Sequence, residues 1–410
     1  MISIITPHYA GTNPYIKDSY NTLLSQTIQD WEWVIVRNNG GILPEDISND
    51  RRVKVVDSDS VSIGTLKKLA CKNASGSIVV ELDADDLLLP EALEEINQAF
   101  TPGISFVYSN SAEFHEGIWQ PRVFSEYFGW KNRPFKYQGR DLVEMIAFEP
   151  SPHALRTIWW SPNHVRAWRA KDYWAIGGHD ESLPVADDHD LCCRFYLHGK
   201  MKHIDKCLYL YRLHDENTCN RDNARVQELM WRNYSRYIIP MAEKWVRSKK
   251  LGMVDLGGYY NKPEGYTGID IRENSDVQYD LNKGIPAQDN SLGIIRAHDI
   301  LEHLQNPVAI MNECYRTLAP GGWLNISVPS TDGRGAFQDP THISFWNANS
   351  FWYYTDNFYR KFVPQISCQF QVSRILTWFP SEWHKNKNIS YVDAQLIAVK
   401  PGYQPIGEVL

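Results

Sequence analysis

The chain has 410 residues, of which 43% are apolar and 22% are charged, and its formal net charge is −7. This length exceeds what one hydrophobic core usually organises, so we expect two domains. An acidic chain lacks the basic surface that binds phosphate backbones, so we expect no nucleic-acid partner. No stretch approaches the roughly 20 apolar residues that span a bilayer, and Met1 runs directly into a strand. We therefore expect no integral membrane segment, no signal peptide and a cytoplasmic location.

Strands and helices alternate in the first half of the chain. Ile2–Thr6 and Trp31–Val36 are predicted strands on either side of a helix near Tyr15–Gln26, and a third apolar run, Ile78–Leu82, stops at an acidic segment. This alternation predicts a parallel α/β sheet, in which ligands gather at the carboxyl ends of the strands. Residues 103–170 are rich in aromatic residues and proline without a clear period, so no elements are predicted there.

Three short segments carry acidic and histidine side chains. Asp83–Asp86 follows a predicted strand and offers oxygen ligands suited to Mg²⁺ or Mn²⁺, although taken alone it is equally consistent with a turn or a helix cap. Gly177–Leu183 (GGHDESL) leads into the adjacent carboxylates Asp187–Asp188 at the start of a predicted helix. His214 follows the strand-like segment Leu208–Leu213. Sugar transfer from a nucleoside diphosphate needs such groups, because the leaving diphosphate is neutralised by a cation and the acceptor hydroxyl needs a base.

In this order the three segments resemble the family 2 glycosyltransferases of the GT-A fold, over residues 1 to about 218. The resemblance implies metal-dependent, inverting transfer from a nucleotide-sugar donor to a glycan or glycoconjugate acceptor, as in polysaccharide biosynthesis. It also implies that Asp83 lies near the nucleotide ribose, that Asp85 is a metal ligand and that Asp188 is the general base. By the same resemblance His214 contacts the metal or the diphosphate, with a structural histidine as the alternative.

Further positions match the nucleotide-binding residues of that family. Pro7, Tyr9 and Lys67 correspond to residues that line the nucleotide, with an ordinary surface lysine as the alternative for Lys67. The family usually has Val-Asp-Asp-Gly-Ser after the second strand, whereas this chain has Val36–Gly40 (VRNNG). The side-chain carbonyl of Asn38 can still accept a hydrogen bond from the nucleotide base.

A helical linker is predicted between the two halves. Apolar residues between Val226 and Trp245 fall on one helical face, and Pro240 within this segment is expected to kink or split the helix. We therefore predict domains over residues 1–220 and 251–410, joined by a linker over 221–250.

The second half begins another α/β pattern. Its predicted strands are Met253–Gly257, Thr267–Ile271, Leu292–Ala297 and Gly322–Val328, and Pro307–Leu318 is a predicted helix. A glycine turn after the first strand and an acidic residue near the end of the second are typical of a Rossmann-like domain.

The motifs Leu301–Leu304 (LEHL) and Leu318–Gly322 (LAPGG) complete a resemblance to class I S-adenosylmethionine-dependent methyltransferases, over roughly residues 251–400. The resemblance implies a second Rossmann-like domain that binds S-adenosylmethionine. Gly257 would lie against its methionine portion, Asp270 at the ribose hydroxyls, and Asp280 or its neighbours near the adenine. The cofactor-binding residues that it implies are Gly257, Asp270, Asp280 and His298.

The cofactor loop departs from the family pattern. Tyr259 stands where the family's G-x-G has its second glycine, and a side chain there crowds the cofactor if it turns inward. Methylation of a sugar hydroxyl also needs a base. His342, in the loop after the Gly322–Val328 strand, is the candidate, and a structural loop histidine is the alternative.

These motifs favour a bifunctional enzyme whose first domain transfers a sugar and whose second domain O-methylates a sugar. One alternative is a glycosyltransferase whose second domain serves as a binding or interaction module. Another is a glycan-binding scaffold without catalysis. The presence of all three acidic or histidine segments in the first half disfavours the scaffold.

Overall fold

The computed structural model describes residues 1–214 and 223–409. It divides into two compact units, Met1–Met241 and Ala242–Leu410, and each has its own sheet and hydrophobic core. The division falls inside the segment predicted as a linker. Within the described ranges, no helix combines the length and the apolar character needed to cross a bilayer.

The described residues of the first unit contain ten strands. They are β1 (Ile2–His8), β2 (Trp31–Arg37), β3 (Val53–Asp57), β4 (Ile78–Glu81), β5 (Leu87–Leu88), β6 (Ile104–His115), β7 (Lys131–Tyr137), β8 (Arg140–Ile146), β9 (Arg166–Arg169) and β10 (Lys200–Leu213). The helices are α1 (Ile16–Leu24), α2 (Glu45–Ser48), α3 (Ile63–Asn73), α4 (Ala92–Ala99), α5 (Pro152–Leu155), α6 (Ala170–Ala175) and α7 (Asp187–His198). A further helix, α8 (Asn223–Lys249), includes the point of division between Met241 and Ala242. The predicted first, second and third strands correspond to β1, β2 and β4.

Six strands of this sheet run in the same direction. The order is β3-β2-β1-β4-β9-β6-β10-β5, and the hairpin of β7 and β8 joins β6. Strands β1 to β4 pair in parallel, β9 is antiparallel to both β4 and β6, and β10 is parallel to β6. The carboxyl ends of β1 to β4, β6 and β10 therefore share one edge, which we call the first carboxyl edge.

Residues 103–170, where no elements were predicted, contain β6 to β9. The ten residues from Ser105 to Phe114 of β6 are all buried, so the strand shows no alternation of apolar and polar residues. A strand buried on both faces loses the two-residue period that identifies half-exposed strands.

In the second unit, the part of the chain that the structure describes contains seven strands. They are β11 (Gly252–Leu256), β12 (Thr267–Asp270), β13 (Val277–Gln278), β14 (Leu292–His298), β15 (Leu318–Pro329), β16 (Phe370–Trp378) and β17 (Tyr391–Ala398). The helices are α9 (Pro307–Thr317), α10 (Gly335–Gln338), α11 (Trp352–Thr355), α12 (Asn357–Arg360) and α13 (Glu382–Asn386). The order is β13-β12-β11-β14-β15-β17-β16, in which β17 is antiparallel to both neighbours and the strands from β13 to β15 are parallel. The carboxyl ends of β11, β12, β14 and β15 form the second carboxyl edge.

Helix α8 runs from Asn223 to Lys249 through Pro240. The expectation that Pro240 splits this helix is therefore wrong. Pro240 is exposed, so water can satisfy the carbonyl that loses its intrahelical donor. Buried apolar side chains lie on both sides of it, including Tyr237 and Met241, and their burial favours the continuous helix.

Candidate functional site

The acidic loop, Asp83–Asp86, lies at the first carboxyl edge directly after β4. The Ser19 hydroxyl donates to the carbonyl oxygens of Ala84 and Asp86, at 3.0 and 2.8 Å. From β10, the Tyr209 hydroxyl donates to Asp86 Oδ2 at 2.8 Å and the Arg212 backbone N–H donates to Asp86 Oδ1 at 2.7 Å. Asp86 is thus a buried anchor of the loop.

Asp85 and His214 face each other at this edge. Asp85 Oδ2 lies 2.9 Å from His214 Nε2, and the Tyr15 ring stacks on the imidazole with 5.2 Å between centroids. The hydrogen bond to Asp85 raises the pKa of His214. Two adjacent ligands of an octahedral Mg²⁺ or Mn²⁺ ion lie about 3 Å apart, given metal–ligand distances of about 2.1 Å. The two side chains therefore fit a shared divalent cation.

Behind the acidic loop lies a charge cluster of Lys67, Glu81, Arg166, Asp187 and Asp188. Glu81, the last residue of β4, is 1% exposed and lies 2.5 Å from Lys67 Nζ. Arg166 binds it from the other side, with Nε donating to Glu81 Oε2 at 2.8 Å. A buried carboxylate is tolerated only when cations and hydrogen bonds compensate its lost hydration, and these two cations supply that compensation.

The same Arg166 holds Asp188, the second residue of α7. Arg166 Nη1 donates to Asp188 Oδ2 at 2.8 Å, and the backbone N–H of His189 donates to Oδ1 at 2.7 Å. Burial opposes ionisation of Asp188, but the charges of Arg166 and Lys67 outweigh it and lower its pKa to about 2. The side chain is 26% exposed, so an acceptor hydroxyl can reach an ionised carboxylate.

Asp83 has a different environment. Its Oδ2 lies 3.3 Å from His164 Nε2, and about a third of its side chain is exposed. Removal from water raises the pKa of Asp83 to about 7; the charges of Glu81 and Asp85 add to this effect, and the charge of Lys67 opposes it. Burial lowers the pKa of His164 to about 3, so the imidazole beside Asp83 is neutral at neutral pH.

Three of the predicted nucleotide-binding residues lie at the carboxyl ends of strands, whereas a fourth, Lys67, is buried in the charge cluster. Pro7 and Tyr9 lie at the end of β1, and Asn38 lies just after β2, where its backbone N–H donates to the His8 carbonyl at 2.9 Å. Asn38 Nδ2 donates to the Ser60 carbonyl at 2.9 Å, and within the described ranges its Oδ1 accepts no hydrogen bond. Lys67 instead lies in the charge cluster and is 5% exposed.

Sequence reasoning overlooked Glu81, His164 and Arg166. The sequence did indicate a role for Glu81, because a charged residue inside the apolar run of a central parallel strand needs a buried partner. His164 and Arg166 lie in the stretch without predicted elements. Their proximity to Glu81 depends on β9 pairing antiparallel with β4, which no local pattern indicates.

In the second unit, a glycine turn follows β11 at the second carboxyl edge. Gly257 has φ +75°, a conformation that favours glycine. A Cβ on Gly268 would lie 2.2 Å from the Gly258 carbonyl oxygen, so the turn passes directly over β12. The close approach of loop and strand is therefore made by Gly258 and Gly268, and Tyr259 takes no part in it.

Asp270 ends β12 beside this turn. Its Oδ1 accepts the backbone N–H of Arg272 at 2.9 Å, while Oδ2 accepts no hydrogen bond from the residues that the structure describes. The side chain of Tyr259 packs with Arg272, whose guanidinium carbon lies 5.4 Å from the ring centroid. The free carboxylate oxygen fits a ribose hydroxyl, and the Tyr259 ring lies near this anchor.

The remaining predicted cofactor residues are dispersed along the same edge. Asp280 caps a short turn, since its Oδ1 accepts the backbone N–H of Asn282 at 3.0 Å. His298 ends β14, and burial lowers its pKa to about 4, which leaves the imidazole neutral. His342 lies in the loop after β15, with Nδ1 3.0 Å from the Ala336 carbonyl oxygen.

Two family models match segments of the chain. Residues 3–155 match the family model of glycosyl transferase family 2, and residues 259–326 match that of a methyltransferase domain. The first match ends before Asp188 and His214, and the second begins after Gly257 and ends before His342.

Individual relatives overlap with parts of the chain. Chondroitin synthase of Escherichia coli is 27% identical over 226 residues, which are 53% of this chain and 30% of that protein. Chondroitin synthase of Pasteurella multocida is 24% identical over 328 residues, which are 76% of this chain and 32% of that protein. The chain thus spans about a third of the length of these curated relatives. Among solved structures, S. aureus TarS 1–349 aligns with a TM-score of 0.42 at 19% identity, covering 61% of this chain and 72% of that one.

Proposed function

We propose that this chain, which joins a family 2 glycosyltransferase domain to a class I methyltransferase domain, is a bifunctional transferase of glycan assembly. The first unit transfers a sugar, with inversion, from a nucleotide-sugar donor to a glycan or glycoconjugate acceptor. The second unit transfers a methyl group from S-adenosylmethionine to a sugar hydroxyl. The similarity to chondroitin synthases supports a glycan acceptor.

The observation that carries the first activity is that the acidic loop, His214 and Asp188 meet at one edge of the sheet. Asp85 and His214 would hold a divalent cation, which neutralises the charge that develops on the leaving diphosphate. Pro7, Tyr9, Asn38 and Asp83 would line the nucleotide, with Asn38 Oδ1 accepting a hydrogen bond from an N–H of the base. Lys67 would stabilise this side of the nucleotide site through its ion pair with Glu81.

Asp188 is our proposed general base. It is ionised at neutral pH, and Arg166 and the His189 N–H fix its carboxylate, so its orientation is set before the acceptor arrives. A base with a pKa of about 2 is weak while it is paired with Arg166. Proton transfer to Asp188 would therefore occur as the acceptor oxygen bonds to the sugar carbon and becomes strongly acidic.

Chelation tests the first activity. We expect excess EDTA to abolish glycosyl transfer and added Mn²⁺ or Mg²⁺ to restore it, with Asp85→Ala requiring a higher cation concentration than the wild type. The matched control is Asp57→Ala, which removes an exposed carboxylate paired with Arg37 outside the acidic loop. Full activity in excess EDTA would remove the cation from this proposal.

For the second activity, Asp270 Oδ2 would accept a ribose hydroxyl, the Gly257 turn would admit the methionine portion, and Asp280 and His298 would line the pocket. Titration of the full chain with S-adenosylmethionine separates a methyltransferase from the alternative, a second unit that serves only as an interaction module. We expect calorimetric binding of one equivalent. Absence of binding would favour the interaction module.

His342 is the proposed base for methyl transfer. Its Nδ1 donates to the Ala336 carbonyl, because a carbonyl oxygen can only accept, and Nε2 is therefore the ring nitrogen that would act as the base. In that role, Nε2 takes the proton of the sugar hydroxyl as the oxygen attacks the methyl group.

A further inference from the structure

A second group of potential metal ligands lies at the second carboxyl edge, outside the acidic loop. Glu302, His303 and His342 each present one ligand atom, and these three atoms lie within 4.8 Å of one another. Glu302 and His303 belong to the short turn that follows β14, and His342 belongs to the loop that follows β15. Because β14 and β15 are parallel neighbours, their following loops meet at the edge that carries the Gly257 turn.

The carboxylate of Glu302 lacks the partner that a buried carboxylate needs. Glu302 is 2% exposed, and its Oε2 finds no hydrogen-bond partner among residues 1–214 and 223–409. An uncompensated buried carboxylate is costly, and the buried Glu81 of the first unit is paired with both Lys67 and Arg166. Glu302 instead lies beside two imidazoles, and a bound cation would supply the missing partner.

Both imidazoles are oriented as metal ligands usually are. His342 Nδ1 lies 3.0 Å from the Ala336 carbonyl oxygen, and His303 Nδ1 lies 3.2 Å from the Thr341 carbonyl oxygen. A carbonyl oxygen can only accept, so each Nδ1 carries a proton, and Nε2 is the ring nitrogen that can bind a metal. A ligating histidine commonly donates its second ring N–H to a backbone carbonyl in this way, because that bond fixes the tautomer and the ring orientation.

The two loops are joined by backbone hydrogen bonds, so the site is formed before a ligand binds. The N–H groups of Ile343 and Ser344 donate to the Glu302 carbonyl at 2.8 and 3.0 Å. Asp339 adds negative charge, since its Oδ2 lies 4.0 Å from His342 Nε2. Its Oδ1 accepts from the Thr341 hydroxyl at 2.7 Å, which holds this carboxylate at the rim of the site.

We propose that Glu302, His303 and His342 bind one divalent transition-metal cation in the second unit. Two imidazoles and one carboxylate, with coordination positions left open, suit Mn²⁺, Fe²⁺, Co²⁺ or Zn²⁺ better than the all-oxygen preference of Ca²⁺. The binding of the cation depends on these three residues alone, but the role that we give the cation depends on the proposed methyl transfer. With the cation bound, His342 would be a ligand and would no longer be the base for methyl transfer; a sugar hydroxyl bound to the cation would be more acidic and would release its proton to water.

Cobalt binding to the full chain tests the site, because Co²⁺ reports its ligands through visible absorption. The background is the double variant Asp85→Ala, His214→Ala, which removes the cation site proposed in the first unit. Neither nucleotide sugar nor S-adenosylmethionine is present, so failure of either proposed activity leaves the result interpretable. We expect one equivalent of Co²⁺ in calorimetry, accompanied by an absorption band of nitrogen and oxygen ligation.

Three further substitutions in that double variant test whether Glu302 and His342 are the residues that bind Co²⁺. Glu302→Gln and His342→Gln should each weaken Co²⁺ binding at least tenfold and alter the absorption band. His384→Gln should change neither, since His384 lies in α13 and bonds to Ser381. His342 lies in the loop after β15 and is less buried than Glu302, so His342→Gln keeps the test valid if Glu302→Gln does not fold. Absence of bound Co²⁺, or unchanged binding in His342→Gln, would overturn the proposal.

Discussion

At the scale of single residues, Arg166 connects the parts of the first site. It contacts Glu81 and Asp188 directly, at 2.8 Å in each case, and its Nη2 lies 3.3 Å from His164 Nε2. His164 in turn lies beside Asp83. One buried guanidinium therefore links the proposed base to the carboxylate expected near the ribose, and its planar fork allows contacts that lysine would not reproduce.

The role of Asp188 predicts a separation of rate from binding. We expect Asp188→Asn to lower the turnover of glycosyl transfer by about 10²- to 10⁴-fold, the usual effect of removing a positioned base, with donor affinity nearly unchanged. Steady-state turnover and calorimetric donor binding are the two measurements. Asp172→Asn, on α6, serves as the control for loss of a carboxylate. Weaker donor binding with nearly normal turnover would make Asp188 a positioning residue.

The burial of Lys67 predicts a loss of stability. Lys67→Met leaves Glu81 with Arg166 as its remaining direct cation, and breaking a buried ion pair typically costs about 3–5 kcal/mol. The adjacent Lys68→Met removes only a surface pair with Glu181, so we expect it to cost less than about 1 kcal/mol. Denaturant unfolding compares the two variants. A Lys67→Met protein of normal stability but weakened donor binding would instead support the direct nucleotide contact predicted from sequence.

By resemblance, the sequence predicted Asp85 as a metal ligand and His214 as a contact of the metal or the diphosphate. The structure places the two side chains 2.9 Å apart, and their roles stay predictions. The charge cluster was not expected, because it joins β4, β9, α3 and α7, whose pairing depends on the tertiary fold. Glu302 was visible within LEHL, but its unpartnered carboxylate is apparent only from the packing around it.

At the scale of elements, the loop between β11 and β12 decides whether the second unit binds its cofactor. Gly258 and Gly268 make the close approach of this loop to β12 without Tyr259, whose ring lies beside Arg272, so Tyr259 need not prevent binding. In the proposed cofactor site, Asp270 Oδ2 would accept a ribose hydroxyl. The departure from the family pattern is therefore compatible with a working cofactor site.

Calorimetry on two variants tests this loop. A charge-assisted hydrogen bond contributes about 1.5–3 kcal/mol, so we expect Asp270→Ala to weaken S-adenosylmethionine binding at least tenfold. Tyr259→Gly should bind about as well as the wild type if the ring stays beside Arg272. Binding by Tyr259→Gly but not by the wild type would show that the ring occludes the pocket. Unchanged affinity in Asp270→Ala would remove the ribose anchor.

Helix α8 offers a test of how burial overrides local propensity. Pro240 is exposed and removes one backbone donor, so Pro240→Ala should restore an intrahelical hydrogen bond and raise the free energy of unfolding by about 1–3 kcal/mol. Ser235→Ala, at another exposed position of α8, should change it by less than about 0.5 kcal/mol. Equal stability of the Pro240→Ala and wild-type proteins would mean that the helix bends at this position without cost.

At the scale of the whole molecule, the alternation of strands and helices sufficed to predict two α/β units. Both carry strand, turn and acidic-residue patterns that are local in sequence. Local patterns did not reveal β6 to β9, because β6 is buried on both faces and β9 is only four residues long. Local patterns also did not predict that β17 lies between β15 and β16, because the position of this antiparallel strand depends on the packing of the complete sheet.

The central claim is that the first unit transfers sugars from nucleotide donors, and one measurement tests it most directly. The full chain is incubated with a panel of nucleotide sugars and Mn²⁺, and the released nucleoside diphosphate is quantified for the wild type and for Asp85→Ala. We predict that the wild type hydrolyses at least one donor slowly in the absence of an acceptor, and that Asp85→Ala releases much less nucleoside diphosphate from it. Failure of every donor to bind or react, or equal release by both proteins, would contradict the account.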